Sequence, residues 1–571
     1  MKQTSTTLIG YLQHYAESIP DALYSRYLFA DRDPVEIDYQ TTLERTKQFA
    51  SGYAAYGIEK GSVVLVILEH HEDLMPAFLG AMWLGAIPAF LPHPNPRIDP
   101  ERYYNNMEVL IESTRPQAIL TRPQVRALLH KTIPAGAHRP TLLTVEDVTI
   151  TGQSNAPVPV DAEHPALIQY SSGSTGMQKG ALLSHRAILA EIEGVGEFFD
   201  ITQKDSIMSW IPLYHDWGLV CVALHALVLG SNFTLISPVD WVKRPVMALE
   251  AVDRYRPTIF YQPNFAFNFM TQRIKDREME GLDLSSIRLM CNGAEPCFYE
   301  SHKMFADRFC HWGFRKDSLG IVYGMAEVTN SVFAAGHREP IVVDTVDRFI
   351  LQSEKRAVPV SEDSPNVQRI LGVGRALRGT EFKIVDDNRQ EIPDRHIGEV
   401  AIRSRARFHG YYRNPEATKK VLDKDGWYYT GDMGYRVGNI LFITGRKSDM
   451  IIVGGVNIFP QDIEAIVGEH PAAVAGRIAA IGVDDPEMGT QKIVVLVESK
   501  STDKAVLNDI ARFARAEVAQ RLGVTIDEVI HVPYRWLIKT SSGKIARIPN
   551  YKRLSELKKQ KTVNLEASEI T

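Results

Sequence analysis

Short apolar runs alternate with longer segments of mixed polarity along the first part of the chain. The run at 63–68 is aliphatic and mostly β-branched, which predicts a buried strand, and 74–86 has apolar residues at helical spacings. The run at 117–121 predicts the next strand. Strand–helix–strand units of this length are typical of a parallel sheet covered by helices, which is an α/β architecture. The same pattern recurs at 233–236, 258–261 and 287–291.

The last part of the chain has a different pattern, in which short strands and two helices follow one another closely. We expect strands at 451–453, 479–483 and 493–497, and helices at 460–467 and 505–521. This pattern predicts a small α+β unit after the α/β unit. The predicted boundary lies at Gly445 and divides the chain into a large domain, residues 1–444, and a small domain, residues 445–571.

The composition is that of a soluble globular protein with more than one domain. The chain has 571 residues, of which 44% are hydrophobic and 23% are charged, and its net charge is −5. No broad basic field is present that could hold nucleic acid through its phosphates. No run of about 18 apolar residues and no apolar leader occur, so we expect a cytoplasmic protein without stable membrane insertion. The four cysteines form no C-x-x-C pair, which argues against a zinc site.

A loop rich in glycine and hydroxyl side chains follows the apolar residues 166–168. Glycine lets the backbone approach an anion, successive N–H groups can form an anion-binding nest, and serine, threonine and lysine add donors and charge. The spacing differs from that of a Walker A loop, G-x-x-x-x-G-K-[ST]. The loop is a candidate for holding polyphosphate, although a plain connection has the same composition. Its candidate residues are Ser171, Ser172, Gly173, Ser174, Thr175, Gly176 and Lys179.

Four further motifs follow this loop. They are Tyr323-Gly324-Met325-Ala326-Glu327-Val328-Thr329, Tyr429-Thr430-Gly431-Asp432, Gly445-Arg446-Lys447-Ser448-Asp449, and Lys539-Thr540-Ser541-Ser542-Gly543-Lys544-Ile545. With the loop at 170–180, they resemble the signature segments of the adenylate-forming superfamily, which includes acyl-CoA synthetases, luciferases, peptide-synthetase adenylation domains and fatty acyl-AMP ligases. The resemblance covers essentially the whole chain. It implies a large N-terminal domain with sheets covered by helices and a small, mobile C-terminal α+β domain.

The resemblance implies a set of catalytic residues for joining a carboxylic acid to the α-phosphate of ATP. Lys544 would contact the carboxylate and the α-phosphate, where positive charge offsets the repulsion between two anions. Thr329 would donate its hydroxyl to the α-phosphate. His215 would donate to both groups. The alternatives are a solvated surface lysine for Lys544 and a structural histidine bonded to Asp216 for His215.

The resemblance also implies how ATP and Mg²⁺ are held. Glu327 would bind Mg²⁺, which prefers one or two carboxylates plus phosphate oxygens, and a helix-capping acid is the alternative. Asp432 would accept hydrogen bonds from the ribose hydroxyls, and Arg446 would fix the same sugar or phosphate with its planar fork. The residues implied next to the adenine are Tyr323, Gly324, Met325, Asn292, Gly293, Ala294 and Glu295.

Three features resemble fatty acyl-AMP ligases more than acyl-CoA synthetases. They are the His-Asp segment at 212–219, the Asn-containing segments at 262–267 and 289–296, and a long connection after Thr329. In the resembled enzymes an insertion at this place packs on the large domain and restricts the arrangement that admits CoA. We place the insertion within Phe349 to Arg369, and a disordered surface loop is the alternative.

The insertion has apolar residues at its start and charged residues after them. We expect Phe349, Ile350 and Leu351 to anchor it, with Val358 and Val360 behind them. The charged residues Glu354, Lys355 and Arg356 are expected to face solvent or the hinge. If the insertion disfavours CoA, shortening it should raise acyl-CoA formation without abolishing adenylation.

The sequence therefore predicts an enzyme that activates a fatty or other aliphatic acid with ATP and Mg²⁺ to an acyl adenylate and pyrophosphate. The resemblance implies transfer to the phosphopantetheine thiol of an acyl carrier protein, and no phosphopantetheine attachment site follows Arg547, so the carrier would act in trans. The alternatives are an acyl-CoA ligase, an aryl or amino acid adenylating enzyme, and a silent nucleotide-binding protein. The presence of Lys544, Glu327 and Asp432 argues against the silent protein.

Overall fold

The computed structural model describes residues 4–94, 100–133, 138–149, 156–171, 179–337, 339–364, 366–453, 456–485, 490–540, 544–547 and 549–556. Helices and strands are labelled in chain order. The α-helices are α1 (Leu8–Ser18), α2 (Tyr39–Ala55), α3 (Leu74–Trp83), α4 (Pro100–Thr114), α5 (Pro123–Thr132), α6 (Val145–Val148), α7 (His185–Phe198), α8 (His225–Leu229), α9 (Pro238–Lys243), α10 (Val246–Tyr255), α11 (Asn264–Arg273), α12 (Tyr299–Phe309), α13 (Arg348–Ser353), α14 (Pro415–Val421), α15 (Pro460–Gly468) and α16 (Lys504–Leu522). A π-helix spans Trp217–Leu224, and a 3₁₀ turn spans Ala326–Val328.

The strands occur along the whole chain. They are β1 (Leu23–Leu28), β2 (Val35–Asp38), β3 (Val63–Ile67), β4 (Ile87–Phe90), β5 (Ala118–Thr121), β6 (Thr141–Thr144), β7 (Pro165–Ser171), β8 (Lys179–Ser184), β9 (Ser206–Ser209), β10 (Asn232–Ile236), β11 (Ile259–Tyr261), β12 (Leu289–Asn292), β13 (Leu319–Gly324), β14 (Ser331–Gly336), β15 (Val343–Asp347), β16 (Val367–Ala376), β17 (Thr380–Val385), β18 (Gly398–Ser404), β19 (Gly410–Tyr411), β20 (Tyr428–Val437), β21 (Ile440–Arg446), β22 (Ile451–Val453), β23 (Val456–Ile458), β24 (Ala473–Asp485), β25 (Thr490–Ser499) and β26 (Glu528–Val532).

Parallel strands form the centre of the large α/β unit, which confirms the predicted fold class. In the largest sheet β1, β10, β9, β11, β12 and β13 are parallel neighbours, and β14 and β16 continue it in antiparallel fashion. Strands β4, β3, β5 and β6 form a second sheet that is parallel throughout. The carboxyl ends of parallel strands lie at one edge, so the chain after β9, β12 and β13 meets there.

Both faces of the central sheet are buried, because helices cover each of them. Ile207 of β9 and Leu289 of β12 pack into one apolar cluster, whereas their neighbours Met208 and Met290 pack into another cluster on the opposite face. Alternation of side chains along a strand produces this division. It explains why the central strands appear in the sequence as continuous apolar runs rather than as alternating ones.

The last part of the chain forms the predicted α+β arrangement with its own core. Strands β24, β25 and β26 make a sheet, and α15 and α16 pack on it through residues such as Ile463, Val495 and Ile510. Strand β21 of the largest sheet ends at Arg446, and β22 begins at Ile451. The domain boundary at Gly445 stays a prediction.

The predicted insertion begins with α13 and packs on the large unit. The Ala357 N–H donates to the Arg395 carbonyl oxygen and the Ile397 N–H to that of Lys355, both at 2.8 Å. The expectation for Phe349 is wrong, because its side chain is 62% exposed, whereas Leu351 is buried. Side chains two positions apart on a helix point about 200° apart, so those of Phe349 and Leu351 cannot both face the core.

The other expectations for the insertion have mixed outcomes. Ile350, Val358 and Val360 are half-buried. Glu354, Lys355 and Arg356 are exposed, as the sequence predicts. The insertion is therefore anchored mainly by Leu351 and Ala357. Ala357 lies outside the apolar run at the start of the insertion.

Among the described residues, no helix is both long and apolar enough to cross a membrane. The four cysteines are free thiols; Cys221 and Cys291 are buried and Cys310 is exposed.

Candidate active site

A buried aspartate joins two predicted nucleotide residues at the edge where the central strands end. The Tyr323 hydroxyl donates to Oδ2 of Asp432, and Nε of Arg446 donates to Oδ1, each at 2.8 Å. The negative charge of Asp432 raises the pKa of Arg446. Burial, with a smaller contribution from Asp432, raises the pKa of Tyr323. These two donors orient the Asp432 carboxylate, which could also accept hydrogen bonds from a diol.

Glu327 lies in the 3₁₀ turn that follows β13. It is 8% exposed, and its Oε1 accepts a 2.6 Å hydrogen bond from the Tyr411 hydroxyl. Lys179 lies over the same tyrosine, with Nζ 5.1 Å from the ring centroid. The Glu327 carboxylate and the Lys179 ammonium, which belong to two motifs far apart in the chain, therefore both contact the side chain of Tyr411.

The residues at this edge fit Mg²⁺ only together with phosphate oxygens. Among the residues that the structure describes, no three His, Cys, Asp or Glu side chains converge in a way that could hold a metal ion. A single carboxylate such as Glu327 matches the preference of Mg²⁺ for one or two carboxylates plus phosphate and water.

The predicted role of Thr329 as a hydroxyl donor does not fit its geometry. Thr329 is fully buried, and its Oγ1 donates to the carbonyl oxygen of Ala406 at 2.6 Å. Because a hydroxyl has one proton, this bond removes the donor that the α-phosphate would need. Its backbone is also unusual, with φ +71° and ψ −56°.

His215 forms the pair with Asp216 that the sequence leaves open as an alternative. Its Nδ1 lies 2.6 Å from Oδ1 of Asp216. Burial acts to raise the pKa of Asp216, but His215 and, more weakly, Lys544 lower it below its usual range. The pairing fixes the ring and leaves Nε2, on its opposite side, as the atom that could reach a substrate.

The segment after β12 is held by a buried polar network. Nδ2 of Asn292 donates to Oδ1 of Asn264 at 2.9 Å and lies 2.8 Å from Nε2 of His302. Burial lowers the pKa of His302 to about 4, so its ring is neutral and can accept this bond. The network fixes Asn292, whose Oδ1 has no hydrogen-bond partner among the described residues.

The next three residues complete this predicted adenine segment. A side chain on Gly293 would meet the Val322 carbonyl oxygen at 2.8 Å, so glycine is required there. Ala294 has φ +65°, a conformation that is uncommon outside glycine. Glu295 accepts a 2.6 Å hydrogen bond from the Phe265 N–H, and burial raises its pKa while Lys544 opposes that shift.

Lys544 of the last part of the chain reaches this edge. Burial lowers the pKa of its ammonium, and Arg446 acts in the same direction. The carboxylates of Glu295, Asp216 and Asp432 act in the opposite direction, so Lys544 is near enough to all three to interact with their charges. Its side chain is exposed, and its catalytic role stays a prediction.

Part of the predicted phosphate loop lies outside the described residues. Ser172, Gly173, Ser174, Thr175 and Gly176 belong to this part, and for Ser171 the structure gives only the backbone at the end of β7. Lys179 begins β8. Strands β7 and β8 are antiparallel neighbours, and Ser171 and Lys179 are register partners, so the loop joins the two ends of a hairpin.

Three residues of the site were not predicted from the sequence. They are Tyr411, Asn264 and His302. Tyr411 lies outside every motif, and nothing in its surroundings marks it. Asn264 could be found from the sequence, since it lies in Pro-Asn-Phe shortly after a strand. His302, which contacts Asn292, lies ten residues beyond it on α12.

Comparison with known proteins places the whole chain among ligases. A family model described as AMP-binding enzyme matches residues 12–412. FadD21 of Mycobacterium tuberculosis, provisionally named a fatty-acid–CoA ligase, is 31% identical over 85% of this chain and 86% of its own length. JamA of Moorena producens, a medium-chain-fatty-acid–[acyl-carrier-protein] ligase, is 28% identical over 95% of this chain and 94% of its own. A solved structure from a study of fatty acyl-adenylate ligases of E. coli and L. pneumophila has a TM-score of 0.89 at 25% identity, covering 97% of this chain and 98% of that one.

Proposed function

The chain belongs to the AMP-binding enzyme family, and from this premise we propose that it activates a fatty acid and loads it on a carrier protein. The acid carboxylate attacks the α-phosphate of ATP, pyrophosphate leaves, and a fatty acyl adenylate forms. The phosphopantetheine thiol of a separate carrier protein then attacks the acyl carbonyl, a thioester forms, and AMP leaves. The resemblance to JamA, whose name gives a carrier protein as acceptor, supports this second step.

The position of Lys544 carries the proposal. The charges of Asp216, Glu295 and Asp432, from three separate segments of the large unit, act on this lysine from the last part of the chain. Two anions must approach each other in the first step, and a cation held at their meeting point stabilises the transition state more than the separate reactants. Nε2 of His215 is a second polar atom that could reach the carboxylate.

The nucleotide is proposed to lie between the Asp432 pair and the Asn292 network. Asp432 would accept from the ribose hydroxyls while Arg446 holds its other side. The adenine would lie between Tyr323 and the chain at Gly293 and Ala294, next to the buried Asn292 network. Thr329 would then act through its backbone turn rather than through its hydroxyl.

Mg²⁺ is proposed to be held by Glu327 and by phosphate oxygens of ATP. The bound ion would neutralise the pyrophosphate that leaves in the first step. The contribution of this chain is to hold the Glu327 carboxylate in one orientation, which it does through the Tyr411 hydroxyl.

Replacing Glu327 with glutamine is expected to raise the Mg²⁺ concentration needed for half-maximal pyrophosphate release by about tenfold or more, because a neutral amide is a weaker ligand than a carboxylate. The measurement is initial rate against Mg²⁺ at saturating ATP. Glu416→Gln makes the same change on the exposed face of α14 and should leave the curve in place. An unchanged Mg²⁺ dependence in Glu327→Gln would show that the metal role belongs to another residue.

The proposed function is tested by following pyrophosphate release across saturated acids of graded length. We expect release with fatty acids, and acyl adenylate in the mass spectrum. Adding a phosphopantetheinylated carrier protein should convert acyl adenylate to thioester, whereas CoA should do so poorly. Efficient acyl-CoA formation would instead support the CoA ligase that the name of FadD21 suggests.

The insertion is proposed to hold the small domain in the arrangement that forms the adenylate. Nη1 of Arg348 donates to the Arg521 carbonyl oxygen at 3.0 Å, and its Nη2 donates to that of Val367 at 2.9 Å. Burial raises the pKa of Asp462 on α15 to about 6, while Arg348, which directly precedes the insertion, and Gln352 within it act to lower it. These contacts join α13 to α15 and α16 of the small domain.

Replacing Arg348 with alanine is expected to raise the ratio of acyl-CoA to acyl adenylate by about fivefold, since a lost hydrogen bond of about 1 kcal/mol releases the docked arrangement by that factor. The ratio is measured by mass spectrometry with CoA as the acceptor. Arg356→Ala is the matched control, because Arg356 is exposed in the same insertion and pairs only locally with Glu354. Equal ratios in both variants would contradict a docking role for Arg348.

A further inference from the structure

Behind the candidate active site lies a buried glutamate that no step of the proposed chemistry uses. We propose that Glu191 is a positioning residue for the proposed adenylation: with Cys221, it holds the strained turn at Thr329 and thereby fixes Glu327. Glu191 lies on α7, is 2% exposed, and one of its oxygens accepts the Ser331 N–H at 3.2 Å.

The turn at Thr329 needs such support because its backbone is strained. The Asn330 N–H donates to the Val328 carbonyl oxygen at 2.9 Å, and the angles of Thr329 (φ +71°, ψ −56°) are those of the rarer, strained γ-turn. A β-branched residue at positive φ is an outlier, and such conformations persist only where the surrounding structure determines them. Glu327 lies two residues before Thr329 and directly precedes this turn, so the position of Glu327 depends on the turn.

Three hydrogen bonds hold the turn from behind. The Cys221 thiol donates to Oδ1 of Asn330 at 3.1 Å and lies 3.5 Å from Oε1 of Glu191, which also accepts the Ser331 N–H. The Ser331 hydroxyl donates to the same Asn330 oxygen at 2.5 Å. All four residues are buried, so none of these bonds competes with bulk water.

The same four residues connect three segments of the site. Glu191 lies on the helix that follows the predicted phosphate loop and β8. Cys221 lies in the π-helix that begins directly after the His215–Asp216 pair, and π-helical turns occur often at functional sites. Asn330 and Ser331 directly follow the motif that contains Glu327. A residue with only a packing role would be apolar here, because an unpaired buried carboxyl oxygen is costly, and Oε2 of Glu191 has no partner among the described residues.

The protonation state of Glu191 gives the proposal a signature of its own. Burial raises the pKa of its carboxyl to about 8, Ser331 and Cys221 act to lower it, and Asp216 acts to raise it. The groups that face it are the Cys221 thiol and Asp216 at the π-helix and Tyr261 on β11, and burial raises the pKa of both Cys221 and Tyr261 well above their usual values. Below its pKa Glu191 is neutral; above it, an uncompensated charge appears behind the turn and next to Asp216.

The experiment compares Glu191→Gln with Glu191→Leu, and Glu197→Gln on the exposed side of α7 is the control. The readout is kcat for pyrophosphate release from one pH unit below to one pH unit above the Glu191 pKa of about 8. Glutamine keeps the acceptor and cannot ionise, so Glu191→Gln should retain kcat at the lower pH and lose less of it at the higher pH than the wild type does. Glu191→Leu should lose about tenfold in kcat with a smaller change in the KM for ATP, because the Ser331 N–H is left without an acceptor.

A second readout does not depend on activity. Hydrogen exchange of the Ser331 amide should become faster in Glu191→Leu and stay slow in Glu191→Gln. Equal kcat and exchange in Glu191→Leu and the wild type, or identical pH profiles of Glu191→Gln and the wild type, would overturn the positioning role. The inference rests on the proposed function, and the two fail separately: a wild type that forms no acyl adenylate refutes the function, while the exchange comparison still decides the role of Glu191.

Discussion

Replacing Lys544 with alanine is expected to lower kcat for acyl-adenylate formation by about 10² or more, the scale of losing one electrostatic donor at a reacting centre. Three carboxylates of the large unit interact with the charge of Lys544, which is proposed to act where the acid and the α-phosphate meet. Because the charge is needed most in the transition state, ATP affinity should change much less than kcat. The measurement combines pyrophosphate release with calorimetric titration of ATP.

Lys552→Ala provides the control for this prediction. Lys552 is an exposed lysine eight residues further along the same part of the chain, so its loss removes the same charge from the protein without touching the cleft. Its kcat should equal that of the wild type. A Lys544→Ala variant with near-normal kcat would mean that Lys544 is a solvated lysine and that another group offsets the charge of the α-phosphate.

Replacing Asp432 with asparagine is expected to lower kcat/KM for ATP by about 30-fold or more, because hydrogen bonds to a charged group contribute about 1.5–3 kcal/mol each. The carboxylate holds the Tyr323 hydroxyl and Arg446, and is proposed to hold the ribose as well. An amide can accept through one oxygen only, so at least one of these partners is left unpaired. Steady-state rates against ATP at a saturating fatty acid measure the loss.

Two comparisons make the Asp432 result specific. Asp425→Asn changes an exposed aspartate before the same strand and should leave kcat/KM unaltered. An ATP analogue without the ribose hydroxyls should be used poorly by the wild type and lose little more in Asp432→Asn. A full additional loss with that analogue would assign Asp432 to holding Arg446 rather than to the ribose.

The central strands were predictable because burial on both faces leaves them as continuous apolar runs. Strand β3 is the clearest example, since all five of its residues are buried. The π-helix was not predictable, because Trp217–Leu224 is apolar on every side and therefore has no period that could indicate its winding. Phe349 failed for a related reason: three apolar neighbours in a row do not reveal which of them faces the core.

The motifs predicted which segments meet, but not which atoms remain available. The resemblance assigned a hydroxyl donor to Thr329, and only the structure shows that this hydroxyl donates to the carbonyl oxygen of Ala406, far away in the chain. Tyr411 could not be found because its contact with Glu327 joins residues 84 positions apart. Glu191 carries a detectable signal: it falls on the same helical stripe as the buried Ile188, Ile192 and Val195, where a carboxylate is out of place.

Arg446 occupies a special position at the end of β21. It is the register partner of Asp432 across the sheet and the last residue of the large sheet before the chain enters the small unit. If the small unit turns about the chain after Arg446, as the sequence predicts, that motion begins next to the Asp432 carboxylate that is proposed to hold the ribose. Coupling between two binding or docking equilibria is reciprocal, so whatever free energy a bound nucleotide adds to one orientation of the small unit, that orientation must add to the affinity for the nucleotide. Nucleotide binding and the orientation of the small unit are therefore expected to depend on each other to the same extent.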